Sequence, residues 1–306
     1  MKDQRVIADN ASATAANNGR QVELSAKNKA ETSFTKISLL DICLEDNPYL
    51  RSGYREMGKK DACACVCSAF ALHNETVNIW THGLAFLMFA GLVLENLLST
   101  ANMPFYDRVV FLVYLGCVST CFFISTFYHV FRNHSVRAYA NWLIADINGV
   151  GLYIFGSVLL VAYFRFWCHD VHRWTYMTLD VMLYLSFSYR CRPSSSTSSS
   201  TCVPGCSVFS PSSACGPTST PTSATGRNLK LVWVAVCVIG SMVIRNKKVP
   251  ERWYPGRFDI FFASHQIFHV LVWLGMCILY SVFYSEFGPT SLTADNGRTC
   301  PTSLSL

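Results

Sequence analysis

An all-α membrane bundle is the fold class this sequence predicts, and three observations predict it. The 306-residue chain is 51% hydrophobic but only 14% charged, with a mean hydropathy of +0.27. Its apolar residues fall in long runs over 80–98, 108–131, 140–163, 229–244 and 258–284, with a weaker run at 174–189. Backbone groups in lipid have no water to bond, and at these lengths only helices satisfy them. The chain therefore reads as a polytopic helical protein set in a lipid bilayer. Its formal charge of +6 belongs to basic loop edges, and nothing points to nucleic acid.

Taken in order, residues 1–47 read as a disordered tail. Its first stretch, "MKDQRVIADNASATAANNGRQVELSAKNKAE", is polar and weakly patterned, with no apolar core or cleavage site of a signal peptide. Residues 48–79 form a juxtamembrane amphipathic segment. Its "CACAC" (Cys63, Cys65, Cys67) lacks CxxC spacing and reads as acylated or inert thiols before it reads as a metal cluster. Spans one to three and a weak fourth fill 80–189. The weak run is short of the ~20 residues a crossing needs and carries Asp180 at its middle. Residues 190–228 are a low-complexity insert: of the 37 residues in 191–227, 23 are Ser, Thr or Pro, a composition suited to a linker. The last two spans occupy 229–285, and 286–306 is a tail.

Loop charges give the orientation. Arg51, Arg55, Lys59 and Lys60 precede the first span, and Arg132 and Arg137 follow the second. The loop "RNKKVPERWYPGR" holds five basic residues against one acidic. The amino terminus and these loops are thus expected in the cytosol, and the carboxyl terminus outside.

Polar residues inside the runs carry the chemistry. His265 and His269 stand at i and i+4 on one helix face, as do Ser125 and His129 in "STFYH", while Asp146 enters the third span. In the expected topology His129, Asp146 and His265 come from separate helices and fall in the cytosolic half of the membrane. Ionisable groups at such depth face a bundle interior. Three neutral imidazoles suit Zn²⁺ with its fourth corner open to water, and the ion lowers that water's pKa toward ~7. Asp146 then accepts or orients the proton, and Ser125 supports it. Helix-end or back-bonding roles remain open for both. Position 266 is Gln, so the HExxH base of the metalloproteases is absent. His73 and His82 read as interfacial hydrogen-bonders, and "NETVNIWTH" as structural, with Trp80 in the aromatic belt.

"LHNETVNIWTHGLAF" (72–86), "STFYH" (125–129), "DINGVGL" (146–152) and "PERWYPGRFDIFFASHQIFHVLV" (250–272) resemble the signatures of the progestin and adipoQ receptor (PAQR) family, the last being most similar to its adiponectin-receptor branch. The resemblance implies a seven-helix receptor with a cytosolic amino terminus and an extracellular protein, steroid or lipid ligand. It implies Zn²⁺ held by residues matching His129, His265 and His269, water bridging to a match of Asp146, and Ser125 alongside. It also implies hydrolysis of a ceramide-like lipid amide in the plasma membrane or the Golgi and endomembranes.

The insert departs from that pattern, because the family's fourth and fifth helices belong there. The architecture is thus expected to be incomplete around those helices. Parity sharpens the point: an odd number of crossings must separate the third span from the 245–257 loop, so either 174–189 stays interfacial or a helix is missing, through splicing or a disrupted reading frame. Four functional readings follow: a receptor with a zinc lipid-amide hydrolase site, a non-enzymatic receptor or scaffold with structural zinc, an inactive truncated product, and an ion or proton channel. Oligomeric state stays open, a homo-oligomer included.

Overall fold

The computed structural model describes residues 39–56, 58, 61–98, 103–191 and 221–287, with Leu39 and 221–227 as backbone alone. It divides into two units, 1–48 and 49–306. The first contains helix α1 (Leu39–Asp46), inside what the composition assigns to a disordered tail. The local cause is the i, i+4 apolar pairing of Leu40 with Leu44, and Asp41 in the first turn favours the helix amino end. The remainder of that tail, most of the Ser/Thr/Pro insert and the carboxyl-terminal tail lie outside the described residues.

The second unit contains α2 (Ala62–Ser68), α3 (Thr76–Leu98), α4 (Phe105–Phe131), α5 (Val136–Arg165), α6 (Asp170–Arg190), α7 (Pro221–Lys247) and α8 (Ser264–Phe287). There are no strands among the described residues. Five helices are long and apolar enough to cross a membrane: α3, α4, α5, α7 over Asn228–Lys247, and α8. The protein is an integral membrane protein. Helix α6 has 21 residues but is too polar for that set, carrying Asp170, Arg173, Asp180 and Arg190.

Neighbouring helices alternate in direction. Gly83 of α3 faces Thr126 of α4, while Arg108 at the start of α4 donates to the Leu97 carbonyl near the end of α3. Gly149 of α5 meets Cys121 of α4, and Gly156 meets Cys117 and Tyr114. A Cβ on Gly156 would lie 2.7 Å from the Cys117 Cβ, so only glycine permits this approach. Helices α7 and α8 pair antiparallel through Cys237 and Gly275 at mid-length. Phe89, Phe111, Phe122, Phe164 and Met276 fill the interior, and the Tyr114 hydroxyl donates to the Met276 carbonyl oxygen at 2.9 Å.

One end of the bundle therefore collects the starts of α3, α5 and α8 and the ends of α4 and α7. Helix α6 also runs toward it, from Tyr176 stacked on Phe166 to Phe187 against Gly151. Two helices consecutive in the described chain, α6 and α7, thus point the same way.

The apolar run expected from 258 becomes helical only at Ser264. The stretch before it turns, with Gly256 at φ +84° and Phe262 at φ +65°. Its turns are held from outside: the Asp259 carboxylate accepts the backbone N–H groups of Arg51 and Ser52 at 3.1 and 2.7 Å and the Ser52 hydroxyl at 2.6 Å. Gly256 N–H donates to the Tyr49 carbonyl.

A three-histidine candidate metal centre

The first turn of α8 is fixed before any histidine is considered. Fully buried Glu251 accepts the Ser264 N–H at 2.8 Å and also the Ser264 hydroxyl. Its negative charge suits the helix amino end. Gln266 reaches back to accept the Ala263 N–H at 3.3 Å, one half of a capping box, and donates to the Ile260 carbonyl at 2.7 Å. This is the work of the glutamine standing where a metalloprotease has glutamate. His265 and His269 follow one turn apart.

Their partner comes from the last turn of α4. His129 Nε2 lies 3.3 Å from His265 Nε2, which lies 3.0 Å from His269 Nε2. His129 and His269 are buried and His265 nearly so, and one ring nitrogen of each lies within 4.8 Å of the other two. Nitrogens about 2.0–2.1 Å from a tetrahedral zinc stand about 3.3 Å apart, so the spacing fits such an ion. The three-histidine group can hold a metal.

Which nitrogen carries each proton decides the fit. Glu75 Oε2 accepts His129 Nδ1–H at 2.7 Å, leaving the Nε2 lone pair free, as carboxylate–histidine–metal triads require. The Thr81 hydroxyl donates to the Val77 carbonyl at 2.7 Å, so its oxygen accepts from His269 Nδ1 at 3.3 Å and frees that Nε2 as well. His265 differs. Arg245 Nε donates to its Nδ1 at 3.0 Å, which keeps the ring's proton on Nε2, shared with the other two imidazoles. An ion bound by all three takes that proton's place and requires Arg245 to turn aside. Two ligands are ready and one is latched.

The carboxylate behind His129 is itself anchored. Arg132 donates to Glu75 Oε1 at 2.6 Å and Asn78 to Oε2 at 2.8 Å. Burial by itself would raise the Glu75 carboxyl, but the Arg132 guanidinium, with the His129 and Asn78 bonds, holds it well below the ordinary carboxylate range. Arg55 donates to the His129 and Val130 carbonyls at 2.5 and 3.0 Å, satisfying groups that the end of α4 leaves open.

Ser125 is buried one turn behind His129, and Asp146 feels its hydroxyl as a neighbouring polar group. Asp146 lies within Coulombic range of His129, Arg245 and Arg132, outside the three-histidine group itself. All five residues singled out from the sequence thus gather at one end of the bundle.

Sequence reasoning missed the site roles of Glu75, Thr81, Arg132 and Arg245. A usable signal existed for part of this set: Glu75, Asn78 and His82 recur at i, i+3 and i+7 around the start of an apolar helix, the mark of an inward polar stripe. His73 bonds as expected, with Nε2 donating to the Ser68 carbonyl at 2.9 Å and Nδ1 accepting from Glu75 N–H at 3.1 Å. His82, expected to bond at the interface, is instead buried and makes no hydrogen bond. Among the cysteines, Cys63 and Cys67 are exposed and Cys65 buried.

Comparison with known proteins extends beyond this site. The family model described as Haemolysin-III related matches residues 70–280, which include every candidate ligand. Progestin and adipoQ receptor family member 3 of Mus musculus is 29% identical over 272 aligned positions, covering 82% of this chain and 86% of that protein. Adiponectin receptor protein of Drosophila melanogaster is 28% identical over 268, covering 79% of this chain and 59% of that protein. Heptahelical transmembrane protein 3 of Arabidopsis thaliana is 26% identical over 287, covering 76% and 81%. With a match over two thirds of its length and with the ligand geometry in place, the chain belongs to the haemolysin-III-related family, the one that holds the progestin and adipoQ receptors.

Proposed function

We propose that this protein is a receptor of the adiponectin-receptor kind, responsive to an extracellular protein, steroid or lipid ligand, whose three-histidine centre binds Zn²⁺ and hydrolyses a ceramide-like lipid amide. The observation that carries the reading is the convergence of three Nε2 atoms from α4 and α8, two with their lone pairs freed by Glu75 and Thr81. Zn²⁺, when bound, supplies Lewis-acid polarisation of the amide carbonyl and lowers the pKa of water. His129, His265 and His269 hold the ion. Asp146, steadied by the Ser125 hydroxyl, takes the proton from the attacking water and delivers it to the departing nitrogen. A C–O bond forms, the C–N bond breaks, and a fatty acid and an amine leave. The surrounding apolar helices give a lipid its route and keep bulk water out.

Three imidazoles without a fourth protein ligand favour catalysis over a purely structural ion, because structural zinc sites are normally closed. The test is ceramide turnover by purified protein with zinc counted in parallel. Asp146→Asn should keep its zinc and lose at least a hundredfold in rate. Retained zinc with unchanged turnover would identify the centre as a scaffold tying α4 to α8, and wild-type protein without stoichiometric zinc would remove the proposal.

A further inference from the structure

His82 differs from the four histidines that surround it in sequence and space. The imidazoles of His73, His129, His265 and His269 each use both nitrogens. His82 is 4% exposed, yet neither Nδ1 nor Nε2 has a partner. Its ring lies flat on His269, centroids 3.5 Å apart and planes 7° from parallel, and meets Phe122 edge-on at 4.9 Å. Burying a donor and an acceptor unmatched is costly, because each loses its hydrogen bonds to water and gains none. Stacking alone does not account for histidine here, since Phe fills the same space without that penalty.

The stack also excludes one role. A cation that His269 binds lies close to the plane of the His269 ring, where the nitrogen lone pair points. The His82 plane is a stacking distance of 3.5 Å away, well beyond the ~2.0–2.1 Å of a Zn–N bond. His82 is therefore beside the ion and not on it. A neutral imidazole offers one donor and one acceptor pointing in diverging directions, so each nitrogen lacks its own partner, and a lipid carrying an amide and a hydroxyl offers groups of both kinds.

We propose that His82 is a substrate-binding residue of the three-histidine centre, hydrogen-bonding the amide or adjacent hydroxyl of the lipid held there. The assignment rests on the zinc reading above. It gives α3 two jobs from adjacent residues: Thr81 sets the proton on His269, and His82 receives the ligand across that ring's face.

The experiment compares wild type, His82→Phe and His82→Gln as purified full-length protein, loaded with Co²⁺ and titrated with acetohydroxamate, an amide-like chelator read through the cobalt visible spectrum. His82→Phe should retain metal affinity within about threefold and thermal stability at or above wild type, because an unmatched polar group has been removed. Its acetohydroxamate affinity should fall roughly tenfold or more, and His82→Gln, which restores a donor and an acceptor, should recover part of it. Wild-type acetohydroxamate affinity in His82→Phe overturns the proposal, as does a metal affinity reduced with it to the same degree, which would make His82 a support for His269. Wild-type protein that takes up no metal ends the zinc reading itself, and this assignment with it. If His82→Phe does not fold, the His82→Leu and His82→Gln pair decides by the same readings.

Discussion

Around His129 and His265, two residues outside the ligand set pull in opposite directions. Glu75 draws the His129 proton onto Nδ1, while Arg245 holds the His265 proton on Nε2. Glu75→Gln should therefore lower zinc affinity by 10–100-fold, the usual effect of a lost outer partner. Arg245→Met, which removes both the opposing donor and a nearby positive charge, should raise it about tenfold. Chelator competition on the purified variants measures both, and a change of the same sign in the two would refute the proton assignment. His73 supplies a pH dependence. Burial, reinforced by the Arg55 charge, lowers its pKa from the ordinary 6.5, and its Nδ1 is already occupied as an acceptor. A folded-state pKa below the unfolded one means that the unfolded chain binds the proton first. This stability is thus complete above about 6.5 and is lost as pH falls through the folded-state value. Thermal denaturation in detergent should show that decline, and His73→Gln should flatten it.

Helices α4 and α5 hold Ser125 and Asp146 in register, and their contact depends on small residues. Gly156→Ala places a methyl 2.7 Å from the Cys117 Cβ, which no rotamer change relieves. The expected loss is about 1–3 kcal/mol, read as a lower melting temperature, with Gly91→Ala, which meets no atom within 4 Å, as the neutral control. Element existence was legible in the sequence, since five apolar runs became five spans. The ends were less so. The run from 258 satisfies a hydropathy argument, but Asp259 bonds Ser52 across 207 residues, and no local pattern reveals a partner that distant. The same holds for the site. Its ligands announced themselves as ionisable groups at helical spacing in apolar runs, whereas Glu75 and Arg245 stood at helix ends, where charge is ordinary, and acquired meaning only once α3 and α7 packed beside α4 and α8.

For the molecule as a whole, the histidine end is also the basic end. Arg51, Arg55, Arg132, Lys247, Lys248, Arg252 and Arg257 all lie in segments that close that end, and on the positive-inside rule we propose that it faces the cytosol. Cys63 and Cys67, exposed on α2, report on that placement. A membrane-impermeant maleimide should label them in permeabilised cells and not in intact ones, and labelling of intact cells would invert the proposed orientation. The parity expected from the sequence now has a concrete form: α6 and α7, consecutive among the described helices, both run toward the histidine end.

The order in which the donors occur along the chain has a consequence for biogenesis. Helix α4 contributes one imidazole early, and α8 brings the remaining two only when the ribosome has passed residue 269. A nascent chain arrested before that point has a single isolated ligand, too weak to retain an ion. On the zinc reading proposed above, metal would not template insertion of the earlier helices but would act as a final fastener, and zinc starvation should leave a fully inserted, unlocked bundle in place of an uninserted one.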